Sequence, residues 1–246
     1  MGMDRKIEEL KEIIDRSNNI VFFGGAGVST ESNIPDFRTD KGIFNQSTES
    51  LYPPEVILSR TFFTKRPDDF FQFYKTKMIY KDARPNAAHK ILAELEAQGK
   101  LKAVITQNID GLHQLAGSKN VIELHGTVLE NYCMDCMTGF GLDYVLESTE
   151  NIPRCSCGGI VRPDVVLYEE GLNMDNIHNA IRYISEAEVL IVGGTSLVVY
   201  PAAGLIEYYR GNKLVLINKE TTPYDRSANL IINDSIGKVL SEATKK

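Results

Sequence analysis

The sequence predicts a doubly wound α/β domain, with a parallel sheet between two helix layers, carrying a second, smaller domain. Short runs that are apolar throughout call for strands covered on both faces, and helical patterns fall between them. Four cysteines confined to one stretch mark the smaller domain.

The elements follow in order. Ile7, Leu10, Ile13 and Ile14 recur at helical spacing, and Ile20-Val21-Phe22-Phe23 is too short for a helix and rich in strand formers. Further strand-like runs lie at Ala103-Val104-Ile105-Thr106, Val121-Ile122-Glu123-Leu124, Val165-Val166-Leu167-Tyr168, Val189-Leu190-Ile191-Val192 and Leu214-Val215-Leu216-Ile217. Helical patterns intervene at 87–98, 177–186 and 202–209. Two segments break the alternation. Residues 37–85, with Pro53-Pro54, Pro67 and the aromatic run from Phe70 to Tyr74, read as a loop followed by short helices. Residues 131–161 hold the cysteines and Gly158-Gly159. The expected division is therefore a main domain of residues 1–36, 86–130 and 162–246, and a small domain of 37–85 and 131–161.

Apolar residues at 43% and charged residues at 24% are globular values and exclude wholesale disorder. Lys plus Arg is 27 against 33 Asp plus Glu, a net charge of −6 that argues against a sequence-independent grip on nucleic acid and suits a basic partner better. The N-terminus has no apolar signal core, and no apolar run approaches the ~18 residues of a membrane span. A soluble, cytoplasmic protein is expected, with no membrane partner.

Gly24-Gly25-Ala26-Gly27-Val28-Ser29-Thr30 follows the first strand, placing glycines where a backbone turns tightly and can approach a pyrophosphate at a helix N-terminus. A purely conformational turn would use glycine as well, and Thr30 replaces the third glycine of the dinucleotide fingerprint. Gly193, Thr195 and Ser196 end another strand and Asn218 ends a third, so all would converge beyond the carboxyl ends of the sheet unless they only cap the next turn. Gln107-Asn108-Ile109-Asp110 and His125-Gly126 add an amide pair, a carboxylate and an imidazole to that rim. An imidazole beside a cofactor crevice can accept a proton at neutral pH. His89 and His113 lie beside apolar residues in helical segments and read as structural, and His178 as solvated.

Cys133-Met-Asp-Cys136 and Cys155-Ser-Cys157 can supply four thiolates to one tetrahedral ion, for which Zn²⁺ is the default. Four protein ligands leave no open position, so the metal should be structural. The second pair has one intervening residue where zinc ribbons usually have two, a tighter turn that Gly158 and Gly159 could ease.

Together these motifs resemble the bacterial-type sirtuin (Sir2) family of NAD-dependent protein lysine deacylases. The resemblance runs through Gly25-Ala26-Gly27-Val28-Ser29, Ile34-Pro35-Asp36-Phe37-Arg38, Pro85-Asn86-Ala87-Ala88-His89, Thr106-Gln107-Asn108-Ile109-Asp110, Leu124-His125-Gly126, the cysteines, and Thr195 to Ala202. It implies a Rossmann-like NAD-binding domain with a small domain built from a helical insertion and a zinc-ribbon insertion. It also implies that NAD is a consumed co-substrate. Gly25, Ala26, Gly27, Ser29 and Thr30 would cradle the phosphates, with Phe37 and Arg38 covering the reacting ribose. Gly193, Thr195, Ser196 and Asn218 would hold the adenosine half, and Ile236 would line the adenine site. Gln107 and Asn108 would contact the nicotinamide ribose and an ordered water, and Ile109 and Asp110 the carboxamide. The acyl-lysine oxygen would capture the anomeric carbon, and His125 would then deprotonate the ribose diol so that a hydroxyl attacks the resulting imidate. Products would be free lysine, nicotinamide and O-acyl-ADP-ribose.

An acetylated lysine peptide would add as a strand between 165–168 and 196–199, with Val165, Val166, Tyr168, Leu197 and Val198 as its contacts. Relatives that remove succinyl groups carry a Tyr and an Arg three residues apart, whereas here Tyr74 is followed by Lys77, so a neutral acyl group, chiefly acetyl, is expected. One departure stands out: Tyr168-Glu169-Glu170 replaces the family's usual Phe-Gly-Glu. ADP-ribosyl transfer, plain NAD hydrolysis or a non-catalytic NAD-sensing module would use the same crevice. His125 weighs for deacylation, because hydrolysis leaves no imidate to resolve.

Overall fold

Ile20–Gly24 forms β1, five residues of which every one is buried. The computed structural model describes residues 2–37, 42–43 and 51–245. The other strands are β2 (Leu101–Thr106), β3 (Val121–Glu123), β4 (Gly126–Cys133), β5 (Gly139–Gly141), β6 (Val161–Val165), β7 (Val189–Gly193), β8 (Leu214–Ile217) and β9 (Leu230–Ile232). Six of them make a parallel sheet in the order β3-β2-β1-β7-β8-β9.

Strand periodicity sorts the core into two layers. Ile20 and Phe22 face the helices Met3–Arg16, Ala87–Ala97 and Ile236–Ala243, whereas Val21 and Phe23 face Met174–Glu186 and the 3₁₀ segment Ala202–Tyr208. Truncating a buried aromatic such as Phe22 to alanine would cost roughly 3–5 kcal/mol. The helix Ala87–Ala97 begins at Asn86, whose side chain accepts from Ala88 N at 2.9 Å while His89 Nδ1 accepts from Asn86 N at 3.3 Å. The His89 ring centroid lies 4.6 Å from that of His113, and both side chains are buried in keeping with a structural reading. His178 is exposed.

A second, three-stranded antiparallel sheet has the order β5-β4-β6. Beside it, Ile57, Phe63, Phe70, Phe71 and Tyr74 form one apolar core with Val128, Val145 and Val161. Phe63, Phe70 and Phe71 meet edge to face, with centroids 4.9 to 6.0 Å apart. The segments 51–79 and 128–167 are therefore built around shared side chains.

Three local expectations need correction. The apolar run 165–168 is not a strand of the parallel sheet. The strand there is Val161–Val165, antiparallel to β4, and Tyr168 only bridges to Ser59. The glycine turn opens into the 3₁₀ turns Ala26–Val28 and Thr30–Ser32 rather than an α-helix, and Asn33 at φ 63° ends them. β4 and β9 lie where no strand is expected.

Candidate active site

The carboxyl ends of β1, β2, β7 and β8 open into a cavity of about 1690 Å³, at the point where strand order reverses between β1 and β7. The turn after β1 forms one wall, with Gly25, Ala26, Gly27, Ser29 and Thr30. Gly27 N donates to Gly194 O at 2.8 Å, and a Cβ on Gly27 would lie 2.8 Å from Gly194 Cα. A side chain at 27 would collide with that backbone, and Gly194 is itself left-handed at φ 59°, so glycine is needed at both positions.

The end of β2 supplies the polar cluster. Ser29 Oγ donates to Asp110 Oδ2 at 2.6 Å, and Asn108 Nδ2 donates to Ser29 Oγ at 3.0 Å. Asp110 Oδ1 accepts from Leu112 N at 2.9 Å. Burial pushes the Asp110 carboxyl up, and the Ser29 and Leu112 bonds pull against that shift. Gln107 Nε2 donates to Thr195 Oγ1 at 3.1 Å, tying the ends of β2 and β7 together.

His125 sits in the turn after β3, with Nδ1 2.9 Å from the carbonyl oxygen of Gln107. That oxygen can only accept, so Nδ1 carries the proton and Nε2 is the acceptor. Burial lowers the imidazole pKa, which keeps the ring neutral at pH 7 although the Gln107 bond opposes the shift. A neutral imidazole with a fixed tautomer can take a proton from a substrate hydroxyl.

Phe37, Ile109, Ser196 and Asn218 also line the cavity, as do Val165, Val166 and Tyr168 on the side expected to hold peptide. Other residues lie elsewhere. Gly193 is the buried end of β7 under Ile236, which belongs to the core against Val239 and Leu240, so the cavity wall there is Gly194 and Ser235. Leu197 is sealed in the opposite core, and Val198, half exposed, is not on the wall. Tyr168 N donates to Leu58 O and Tyr168 O accepts from Arg60 N, both at 3.0 Å, so its main chain is already spent within the protein. Arg38 lies outside the described residues.

The four cysteine sulfurs lie within 4.8 Å of one another, with Cys133–Cys157 at 3.4 Å, Cys136–Cys157 at 3.5 Å and Cys136–Cys155 at 3.6 Å. Four Zn–S bonds of about 2.3 Å would set sulfurs somewhat under 4 Å apart, so the set fits a tetrahedral ion. Gly158 is left-handed at φ 93°, and a Cβ on Gly159 would meet Cys133 Sγ at 2.7 Å.

The Sir2 family model matches residues 25–201. The chain belongs to the Sir2 family. A NAD-dependent protein deacetylase of Clostridium tetani (strain Massachusetts / E88) is 68% identical over 234 residues, covering 95% of each protein. One from Clostridium perfringens (strain 13 / Type A) is 62% identical over 242 residues, 98% of this chain and 99% of the relative. Among solved structures, Sir2 with a p53 peptide and NAD⁺ superimposes with TM-score 0.83 at 40% identity, covering 98% and 96% of the two chains. Sir2Tm bound to a propionylated peptide gives 0.85 at 40%, covering 96% of each.

Some of this Sir2 cavity escapes a reading of the sequence. Glu220 lies on the wall just past Asn218, whose Nδ2 donates to Glu220 O at 2.9 Å. The signal was present, since a carboxylate beyond a strand end is the usual ribose partner in dinucleotide folds. Met78 and Ile79 also line it, while Tyr74 is turned into the aromatic core, stacked on Phe70. No helix among the described residues is long and apolar enough to cross a membrane.

Proposed function

We propose that the protein is an NAD-dependent protein lysine deacetylase that converts NAD and an acetylated lysine protein into nicotinamide, O-acetyl-ADP-ribose and free lysine. The observation that carries the reading is one cavity holding a neutral, single-tautomer His125 beside the Asp110–Ser29–Asn108 cluster. The curated relatives' names and the peptide complexes of related Sir2 structures support the substrates.

NAD binds with its phosphates on the turn from Gly25 to Thr30, its adenosine half toward Thr195, Ser196 and Asn218, and its nicotinamide toward Ile109 and Asp110. Asp110 accepts from the carboxamide NH₂, and Ser29 holds the carboxylate in place for it. Asn108 orients the ribose. His125 Nε2 takes a proton from a ribose hydroxyl, typically worth about 10²–10⁴-fold. Cys133, Cys136, Cys155 and Cys157 would hold a structural zinc, which as a four-ligand site would supply folding energy rather than chemistry.

A small domain of 37–85 and 131–161 set on an NAD-binding main domain is part of this reading, as are Arg38 as a cover for the ribose and a cytoplasmic setting. Met78 and Ile79 on the wall, with Tyr74 turned away, support a neutral acyl group. Mass spectrometry of products from NAD and a panel of acyl-lysine peptides tests the whole. O-acetyl-ADP-ribose is expected, and NAD hydrolysed without loss of the acyl group would overturn it.

A further inference from the structure

Glu169 falls where the resemblance to the Sir2 family leads one to expect glycine, and its backbone is left-handed at φ 74°. Glycine adopts that conformation freely, whereas a glutamate does so against a steric penalty. Something must hold it there. Both Thr61 N and Thr61 Oγ1 donate to the same oxygen, Glu169 Oε2, at 2.9 and 2.6 Å. Thr61 lies in the first turn of the helix Arg60–Lys65, which Ser59 caps by accepting from Phe62 N at 3.1 Å.

The neighbouring carboxylate does a complementary task. Glu170 takes Arg162 in two bonds of 2.7 and 3.0 Å and accepts from Leu167 N at 2.9 Å. Residues 166–170 are thus fastened inward through Glu170 and outward through Glu169. This segment is also the wall between the large cavity and a smaller one of about 380 Å³ that Thr61, Phe62, Arg66 and Glu169 share. The Glu169 carboxyl is held below its usual range by the Thr61 bonds, with Lys65 and Arg60 adding to the effect, so it stays ionised and its charge is engaged by groups of this chain.

We propose that Glu169 is a positioning residue for the acyl-lysine peptide, pinning the docking segment 166–170 to the helix Arg60–Lys65 rather than attracting basic side chains. The inference rests on the deacetylase reading. Glu169→Gly relieves the left-handed strain and cuts the clamp, so it separates positioning from stability. Its melting temperature should stay within a few degrees, because the two lost Thr61 bonds and the relieved strain offset one another, while the KM for acetyl-lysine peptide rises about fivefold and the KM for NAD stays within about twofold. Because both Thr61 donors converge on one oxygen, the amide carbonyl of Glu169→Gln can replace it and should restore the peptide KM. Thr61→Val should reproduce part of the loss and add nothing in the Glu169→Gly background.

The same assays on Lys-flanked and Asp-flanked acetyl peptides decide between clamp and charge. Equal losses support the clamp, and a loss confined to the Lys-flanked peptide overturns it. An unchanged peptide KM in an active preparation overturns it too. A wild-type protein that turns over neither peptide removes the deacetylase reading, and this inference with it.

Discussion

His125 Nδ1 meets the carbonyl of Gln107 at 2.9 Å, so the backbone just before Asn108 and Asp110 also fixes the imidazole tautomer. The stretch proposed to hold nicotinamide therefore also orients the proposed base, although the two would act at different stages of the proposed reaction.

His125→Ala should consequently separate two half-reactions. Deacetylation should fall by at least about 10²-fold, while nicotinamide exchange keeps a larger fraction of its rate and the melting temperature barely moves. Measuring all three on one preparation checks this, and a parallel loss of both activities with stability would make His125 a buttress. The pH dependence follows the same group. Its pKa is lowered, so the acid limb of kcat/KM should lie below pH 6.5, with activity rising as His125 deprotonates.

Asp110→Asn should reduce both NAD cleavage and exchange of labelled nicotinamide, by about tenfold or more, because an amide can turn a donor toward the carboxamide NH₂. Ser29→Ala should produce a smaller loss of the same kind, since it frees the carboxylate from its 2.6 Å bond. Wild-type exchange in Asp110→Asn would move that residue out of the nicotinamide pocket.

Cys133→Ser or Cys155→Ser should release metal and lower the melting temperature by several degrees or more, with activity lost only as folded protein is lost. Elemental analysis should give about one zinc per folded wild-type chain if the four thiolates form one closed site. Clearly less would sink the assignment.

The buried pair His89 and His113 predicts acid sensitivity. Burial lowers their pKa to about 4 and about 3, with each ring disfavouring a charge on the other in the case of His113. The unfolded chain, with both near 6.5, binds more protons below that pH, so stability is full above about pH 6.5 and falls progressively toward pH 4. The loss amounts to several kcal/mol, since each tenfold drop in proton affinity on folding is worth about 1.4 kcal/mol. His113→Phe, which also removes two buried ring nitrogens without partners among the described residues, should flatten this dependence in urea titrations run from pH 7 to 4.5.

What could be read in advance tracks how locally each feature is determined. β1, β2, β7 and β8 are buried on both faces, so their apolar runs announce them. β4 is buried in an irregular pattern, with Leu129 and Glu130 exposed and the polar Asn131 buried, and it pairs with β5 and the more distant β6. The rim residues Asn108, Asp110 and His125 were legible because a parallel sheet fixes where strand ends point. Leu197 and Ile236 were not, since an apolar residue beside a loop faces site or core according to packing that no periodicity records. The Thr61–Glu169 bond joins segments 108 residues apart and left no local mark beyond a carboxylate where glycine was expected.

The aromatic core shared by segments 51–79 and 128–167 bears on inheritance. A graft that swapped only the cysteine-bearing hairpin between two relatives would set foreign side chains against Phe63 and Phe71, in the same core as Leu58 and Met78, which also line the large cavity. Cysteine loop and cavity wall are thus obliged to co-vary, and a chimaera meant to change the proposed acyl preference has to carry both segments across together.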